Sequence, residues 1–416
     1  MMPSRQKREG DIIANHKRHI VVFAAITALC LLGDSMLYIV LPVHYQKMGV
    51  SSLWDVGIIL AVNRIVRLPL NPCIGWFYSH ASERTGILIA VALATVATIS
   101  YGFLPNLALW ILVRCVWGVA WTLLRLGSLF CILKLSGPGN RGHYTGLYNG
   151  LYRLGSLVGM FLGGILADLA GITVTVAVFG TATAMAAFLA FFFIPSDDGQ
   201  QKEYVTEGSI LSGLAVVVRN ENVFWLVAAG CLTAFVFQGV VASTLSRLIA
   251  VHTNGGLTLF GSLIGASILS GFFQALRWGW EPWLAPLTGR FSDQRFGRTQ
   301  MLTYSFALGA VAFAALAAPL SLPLWFFCIL FMQLTATMLT TLTDAAAYDA
   351  ATITGERALL MTYALSVDIG AALGPIVAYS MNEFWGVNTV YACSAVLLAI
   401  LFVRWRMTAF LYYPGV

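Results

Sequence analysis

Charge is scarce in this sequence: Asp, Glu, Lys and Arg together make up 10% of its 416 residues, against the roughly 25% of an ordinary soluble domain. So few ions cannot clothe a water-facing surface, which excludes a soluble globular protein of this length. Long polar connections are nearly missing as well, since only IPSDDGQQKEYVTEGS at 194–209 breaks the hydropathy for long. The seven cysteines, at 30, 73, 115, 131, 231, 328 and 393, form no CxxC pair, and the six histidines form no HExxH. Neither a disulfide framework nor a metal site is expected, and no cofactor is assigned. A P-loop is also absent, which excludes nucleotide hydrolysis and leaves an ion gradient as the energy source.

What the chain has in abundance is hydrocarbon, with 59% hydrophobic residues. A bilayer core of about 30 Å takes about 20 helical residues to cross. Apolar runs of that length recur at 19–44, 52–79, 86–104, 107–134, 141–170, 172–194, 223–250, 259–288, 299–318, 322–352, 356–382 and 387–408. The expected fold is therefore an all-α membrane protein with twelve transmembrane helices. The net charge of +6 is explained by placement. Arg5, Lys7, Arg8, Lys17 and Arg18 precede the first span, and Arg84, Arg141, Lys202, Arg219, Arg290, Arg295, Arg298 and Arg357 sit on alternate connections. The opposite set carries Lys47 and little else. By the positive-inside rule both termini are cytoplasmic, and no nucleic-acid partner is implied. The expected location is a bacterial inner membrane, with the first span retained rather than cleaved.

The polar stretch divides the chain into a six-helix bundle at 1–195, a linker at 196–222 and a second bundle at 223–416. Within the linker, 208–219 can form a short helix on the cytoplasmic surface. Shifting the sequence by 214 or 215 residues aligns the halves: PCIGWFYSHASERT at 72–85 falls on PLTGRFSDQRFGRT at 286–299, LW at 109 on LW at 324, and RLGSLVG at 153–159 on DIGAALG at 368–374. Duplicated halves are a recurring transporter design.

These landmarks carry a family resemblance over the whole chain. GRFSDQRFGR (289–298) resembles the Gly, Asp, Gly-Arg loop of the major facilitator superfamily; its first-half copy, GWFYSHASERTG, lacks the aspartate. LGDSMLYIVLP (32–42), LVRCVWG (112–118) and RLGSLVGMFLGG (153–164) are similar to motifs of that superfamily's drug:proton antiporter branch, with Gly159-Met160 in place of the customary Gly-Pro. The resemblance implies a twelve-span fold of two pseudo-symmetric bundles and alternating-access transport of a small molecule. It favours proton-coupled efflux by an antiporter. An uptake symporter or a lipid translocator for an anionic compound is the alternative, suggested by five arginines in or near the first-half spans. An enzyme is not expected, because no cluster of nucleophile and base or of metal ligands occurs at span depth. The expected partners are a small-molecule substrate, protons and membrane lipid, and the chain is expected to act as a monomer.

Ionised side chains inside a bilayer are costly, about 2.5–3.5 kcal/mol each on insertion scales, so each needs a partner or a watery cavity. Asp34, Arg64, Arg67, Arg114, Arg125 and Arg153 lie in or near the first-half spans, and Arg247, Arg277, Glu281, Asp344, Asp349 and Asp368 in the second. The repeat sets Arg67 against Glu281 and Arg153 against Asp368 at equivalent positions. In the resembled family span two meets span eleven and span five meets span eight, which implies two gating pairs, Arg67 with Asp368 and Arg153 with Glu281. Arg114, Gly118, Trp121 and Arg125 recur at 4, 3 and 4 residues, along one face of span four. Asp34 lies at a depth that lets it pair with Arg114, and is the first choice for proton coupling. A static Asp34–Arg114 bridge is the structural alternative, and Glu281, Asp344 and Asp368 are rival carriers. Tyr38, Trp121, Arg125 and Asp344 are the expected cavity residues, with Trp117, Tyr152, Trp278, Trp280 and Trp283 as further aromatic contacts. The glycines of span five suit close helix approach rather than binding.

Overall fold

The structure is a computed structural model that describes residues 2–135, 141–194, 210–259, 262–354 and 358–412. Six helices come first: α1 (Met2–His44), α2 (Leu53–His80), α3 (Glu83–Ser100), α4 (Leu107–Leu135), α5 (Arg141–Leu169) and α6 (Ile172–Phe193). A short α7 (Ile210–Arg219) precedes α8 (Glu221–Ala234), which runs through a π-helical turn, Phe235–Val241, into α9 (Ala242–His252) as one span. There follow α10 (Ala266–Phe291), α11 (Arg298–Ala317), α12 (Leu322–Thr354), α13 (Ala358–Trp385) and α14 (Val387–Tyr412). Among the described residues, ten of the twelve spans are long and apolar enough to cross a membrane by length and composition alone. The other two, α2 and α10, occupy equivalent places in the repeat; each is long enough, carries two prolines, and holds Asp55, Arg64 and Arg67 or Arg277, Glu281 and Arg290.

The ends are set by local chemistry. Ser82 caps α3, its hydroxyl accepting the Thr85 N–H at 3.1 Å, and Asn220 caps α8 by accepting from the N–H groups of Asn222 and Val223. The eighth span begins later than hydropathy suggests. Residues 256–259 and 262–265 form an antiparallel pair, β1 (Gly256–Leu259) and β2 (Ser262–Gly265), so α10 starts at Ala266 rather than 259. Asn254 and Gly255 with positive φ turn the chain into this pair, and a helix cannot pass through them.

Contacts divide the chain into two compact units, one of residues 1–49 and 66–204 and the other of 50–65 and 205–416. In the first, α5 lies along α1. Gly155, Gly159 and Gly163 face the Ala28 carbonyl, the Leu32 backbone and the Met36 side chain so closely that a methyl at any of them would collide. In the second, α13 repeats the arrangement on α8 and the π-helical turn: Gly370 faces the Cys231 carbonyl, and Gly374 faces Gly239 and the Phe235 carbonyl. The same unit includes the start of α2, where Gly57 meets the Pro375 carbonyl and Tyr379. Its linker helix α7 is seated by Gly213 against Ala358 and Thr362, and by Val217 in an apolar cluster with Val223, Val227, Ala347, Leu359 and Tyr363.

Candidate functional site

In the first unit, α1 and α4 bring Asp34 and Arg114 together, with Nη1 of the arginine 2.5 Å from Oδ1 of the aspartate. Arg114 is 0% exposed and Asp34 8%. Beside the aspartate, Gly33 with its missing side chain lets α1 sit directly on Thr98 of α3. Arg114 also donates to the Tyr101 hydroxyl at 3.3 Å. The Tyr101 ring stacks on Trp110 at 5.5 Å with the planes 7° apart, and the indole N–H of Trp110 donates to the Met48 carbonyl at 3.1 Å. A connected path thus runs from the buried ion pair to the short loop after α1. The sequence pointed to the two ions; Tyr101 and Trp110 escaped it, although Trp110 lies in the repeated Leu-Trp dipeptide. Tyr38, one turn beyond Asp34, is buried at 5% exposure.

Further along the same face of α4, Trp121 meets Tyr152 of α5 edge-on at 5.9 Å, and the Arg67 guanidinium lies 5.9 Å from the Trp121 ring centre. Trp117 and Tyr148 extend this aromatic group. Arg125 is exposed and Arg153 half-buried. At the C-terminal ends of α1 and α5, His44 Nε2 and Asp168 Oδ1 are 3.0 Å apart.

In the second unit, Asp344 of α12 is exposed and accepts a hydrogen bond from the Tyr363 hydroxyl of α13 at 2.8 Å. Trp280 of α10 donates its indole N–H to the Thr337 hydroxyl at 3.3 Å. Glu281 and Asp368 are half-buried on α10 and α13. Trp278 is half-buried, and Trp283 is largely exposed. Arg67 and Arg153 belong to the first unit, Glu281 and Asp368 to the second. The loop GRFSDQRFGR forms a π-helical turn, Ser292–Phe296, ahead of α11. Arg298 binds Asp293 at 2.5 Å and reaches Asp349 of α12 at 2.9 Å. Its first-half counterpart, Arg84, instead lies over the Phe191 ring at 4.4 Å.

The repeat does not extend to the ion pair. The Leu-Trp dipeptides equate Trp110 with Trp325, and four residues beyond stand Arg114 and Ile329. Ile329 is fully buried, so hydrocarbon fills in the second unit the place that the guanidinium fills in the first.

Residues 23–280 match the family model described as Major Facilitator Superfamily. The chain belongs to that superfamily. Among its relatives, an uncharacterised MFS-type transporter of Methanocaldococcus jannaschii is 22% identical over 42% of this facilitator and 45% of the relative. A probable vesicular acetylcholine transporter of Danio rerio is 25% identical over 41% and 38%. The facilitator therefore spans less than half the length of either. Two solved structures share its fold: the nucleoside transporter NupG, with a TM-score of 0.75 at 13% identity over 96% of this chain and 100% of that one, and an inward-facing bacterial homologue of the lysosomal transporter Spinster, with 0.74 at 14% over 95% and 96%. The fold is accordingly twelve transmembrane helices in two six-helix bundles, and the protein is a multi-pass membrane protein of a family of transporters, not an enzyme.

Proposed function

We propose that this facilitator moves a small amphipathic molecule across the cell membrane by alternating access, coupled to protons and working as an exporter, with Asp34 as the carboxylate that carries the proton and Arg114 as its partner. The observation that carries this reading is the buried Asp34–Arg114 pair, held by Tyr101 and Trp110 in a span. A carboxylate in a dry site needs a partner for its charge, and a guanidinium or a proton can each be that partner. Proton and arginine are then competing partners for one group, which is what coupling needs. The Trp121, Tyr152 and Arg67 group supplies an aromatic wall with a charge, suited to an amphipathic ligand. Relatives named for acetylcholine and for nucleosides fit a ligand of that size.

A second reading, uptake or lipid translocation of an anion, is favoured by Arg67 over Trp121 with Arg125 one turn on. Purified protein in liposomes separates the two. With an imposed pH gradient, amphipathic cations and organic anions are screened while substrate and proton movement are followed together. Proton flux that appears only with a substrate moving the opposite way, and is lost in Asp34→Asn, is the expected result. Substrate movement indifferent to the gradient would overturn proton coupling and promote the anion reading.

A further inference from the structure

The α12 span is unusually rich in threonine, with Thr335, Thr337, Thr340, Thr341 and Thr343 inside nine residues. Every one of these hydroxyls donates back to a carbonyl three or four residues earlier in its own helix. Their donors are spent, and what they offer outward is acceptor oxygen. Thr337 uses even that, accepting from Trp280.

Gln333 is different. It is 0% exposed, and among the described residues neither its amide nitrogen nor its amide oxygen has a hydrogen-bond partner. A buried amide left in this state is unfavourable, and native proteins keep few. Its position is not arbitrary. Gln333, Thr337, Thr340 and Asp344 recur at 4, 3 and 4 residues, which sets them along one face of α12. The Leu-Trp dipeptides further equate Gly118, Trp121 and Arg125 of α4 with Gln333, Ala336 and Thr340, so this face is the counterpart of the one that carries Trp121 in the first unit.

We propose that Gln333 is a specificity-determining group for the hydroxylated part of an uncharged ligand, which supplies the amide's missing donor and acceptor. A hydroxyl is both at once, so a pair of neighbouring hydroxyls satisfies a carboxamide completely. The rest of the face selects the same chemistry: the Thr340 hydroxyl offers only acceptor lone pairs, and Asp344 is a carboxylate, so ligand groups that donate are welcomed and an anion is repelled. In this conformation Gln333 is sealed, and a ligand meets it when the packing around α12 opens. This inference rests on the reading that the protein carries a small molecule, and not on proton coupling or direction.

The test is a binding measurement on purified full-length protein with no gradient imposed, using matched probes: phenyl β-glucoside against its 2-deoxy analogue and uridine against 2′-deoxyuridine. A site built to hydrogen-bond a hydroxyl rejects the analogue that lacks it strongly. The wild type is expected to favour the hydroxylated member of at least one pair by about tenfold or more, and Gln333→Met to erase that preference while keeping affinity for the deoxy member within about twofold. Gln333→Asn, shorter but with the same amide, is expected to retain part of it, and serves also if the Met variant is poorly folded. A preference that survives in Gln333→Met would overturn the proposal, as would a wild type that favours neither hydroxylated probe. Discrimination that depends on Gln333 in a protein whose transport ignores pH would sink proton coupling and leave this inference standing.

Discussion

Asp34 and Arg114 show how one pair of side chains can be both a cost and a device. Removing one partner of a buried ion pair strands the other charge, at about 3–5 kcal/mol, whereas replacing both with hydrocarbon of similar size is often neutral or better. Asp34→Leu alone is therefore expected to lower the thermal midpoint of the detergent-purified protein sharply. The double variant Asp34→Leu with Arg114→Met is expected to regain most of it while transport stays abolished. Recovery of both stability and transport would reduce the pair to a structural bridge. These two residues were legible in the sequence because an ion in an apolar run demands a reason. Tyr101 and Trp110 were not, since aromatic side chains in spans are mostly packing, and only coordinates reveal that one hydroxyl faces a guanidinium. Gln333 was passed over for a related reason: an uncharged amide breaks no hydropathy pattern, and its lack of a partner is a fact of three dimensions.

At the level of helices, glycine spacing decides which pairs lie close. Gly155 of α5 and Gly370 of α13 each face a carbonyl of the helix they cross, so Ala at either place has to push two backbones apart, whereas a methyl at Gly146 or Gly150 of α5 would meet nothing within 4 Å among the described residues. Gly155→Ala and Gly370→Ala are expected to cut the yield of monodisperse protein on size-exclusion chromatography several-fold, with Gly146→Ala close to wild type. Equal tolerance at all three would mean that the close approach is not needed. The helices themselves were plain in the hydropathy, and the close approach that the span-five glycines suggested is what the structure has. The strand pair at 256–259 and 262–265 was hidden, because a short apolar run such as LTLFGSLIG reads equally as the start of a span or as two strands. The decisive signal was local: Asn254 and Gly255 can take the positive φ that stops α9 and turns the chain.

For the whole molecule, the reading of Arg67 with Asp368 and Arg153 with Glu281 as gates makes a charge-exchange prediction. Arg67→Asp and Asp368→Arg are each expected to abolish transport in liposomes, and the two together to restore a measurable fraction of it. A double variant as inactive as the singles would remove this pair from the mechanism. The duplicated plan was visible in the sequence, because three landmarks recur at an offset of 214 or 215 residues. Where the halves diverge was not, since the ion pair has no counterpart that similarity could flag. Ile329, lying where Arg114 has its place in the other half, leaves the buried ion pair to one half of the duplication. On the proposed mechanism, a transporter built this way can change its cargo through α12 and leave the Asp34–Arg114 pair untouched.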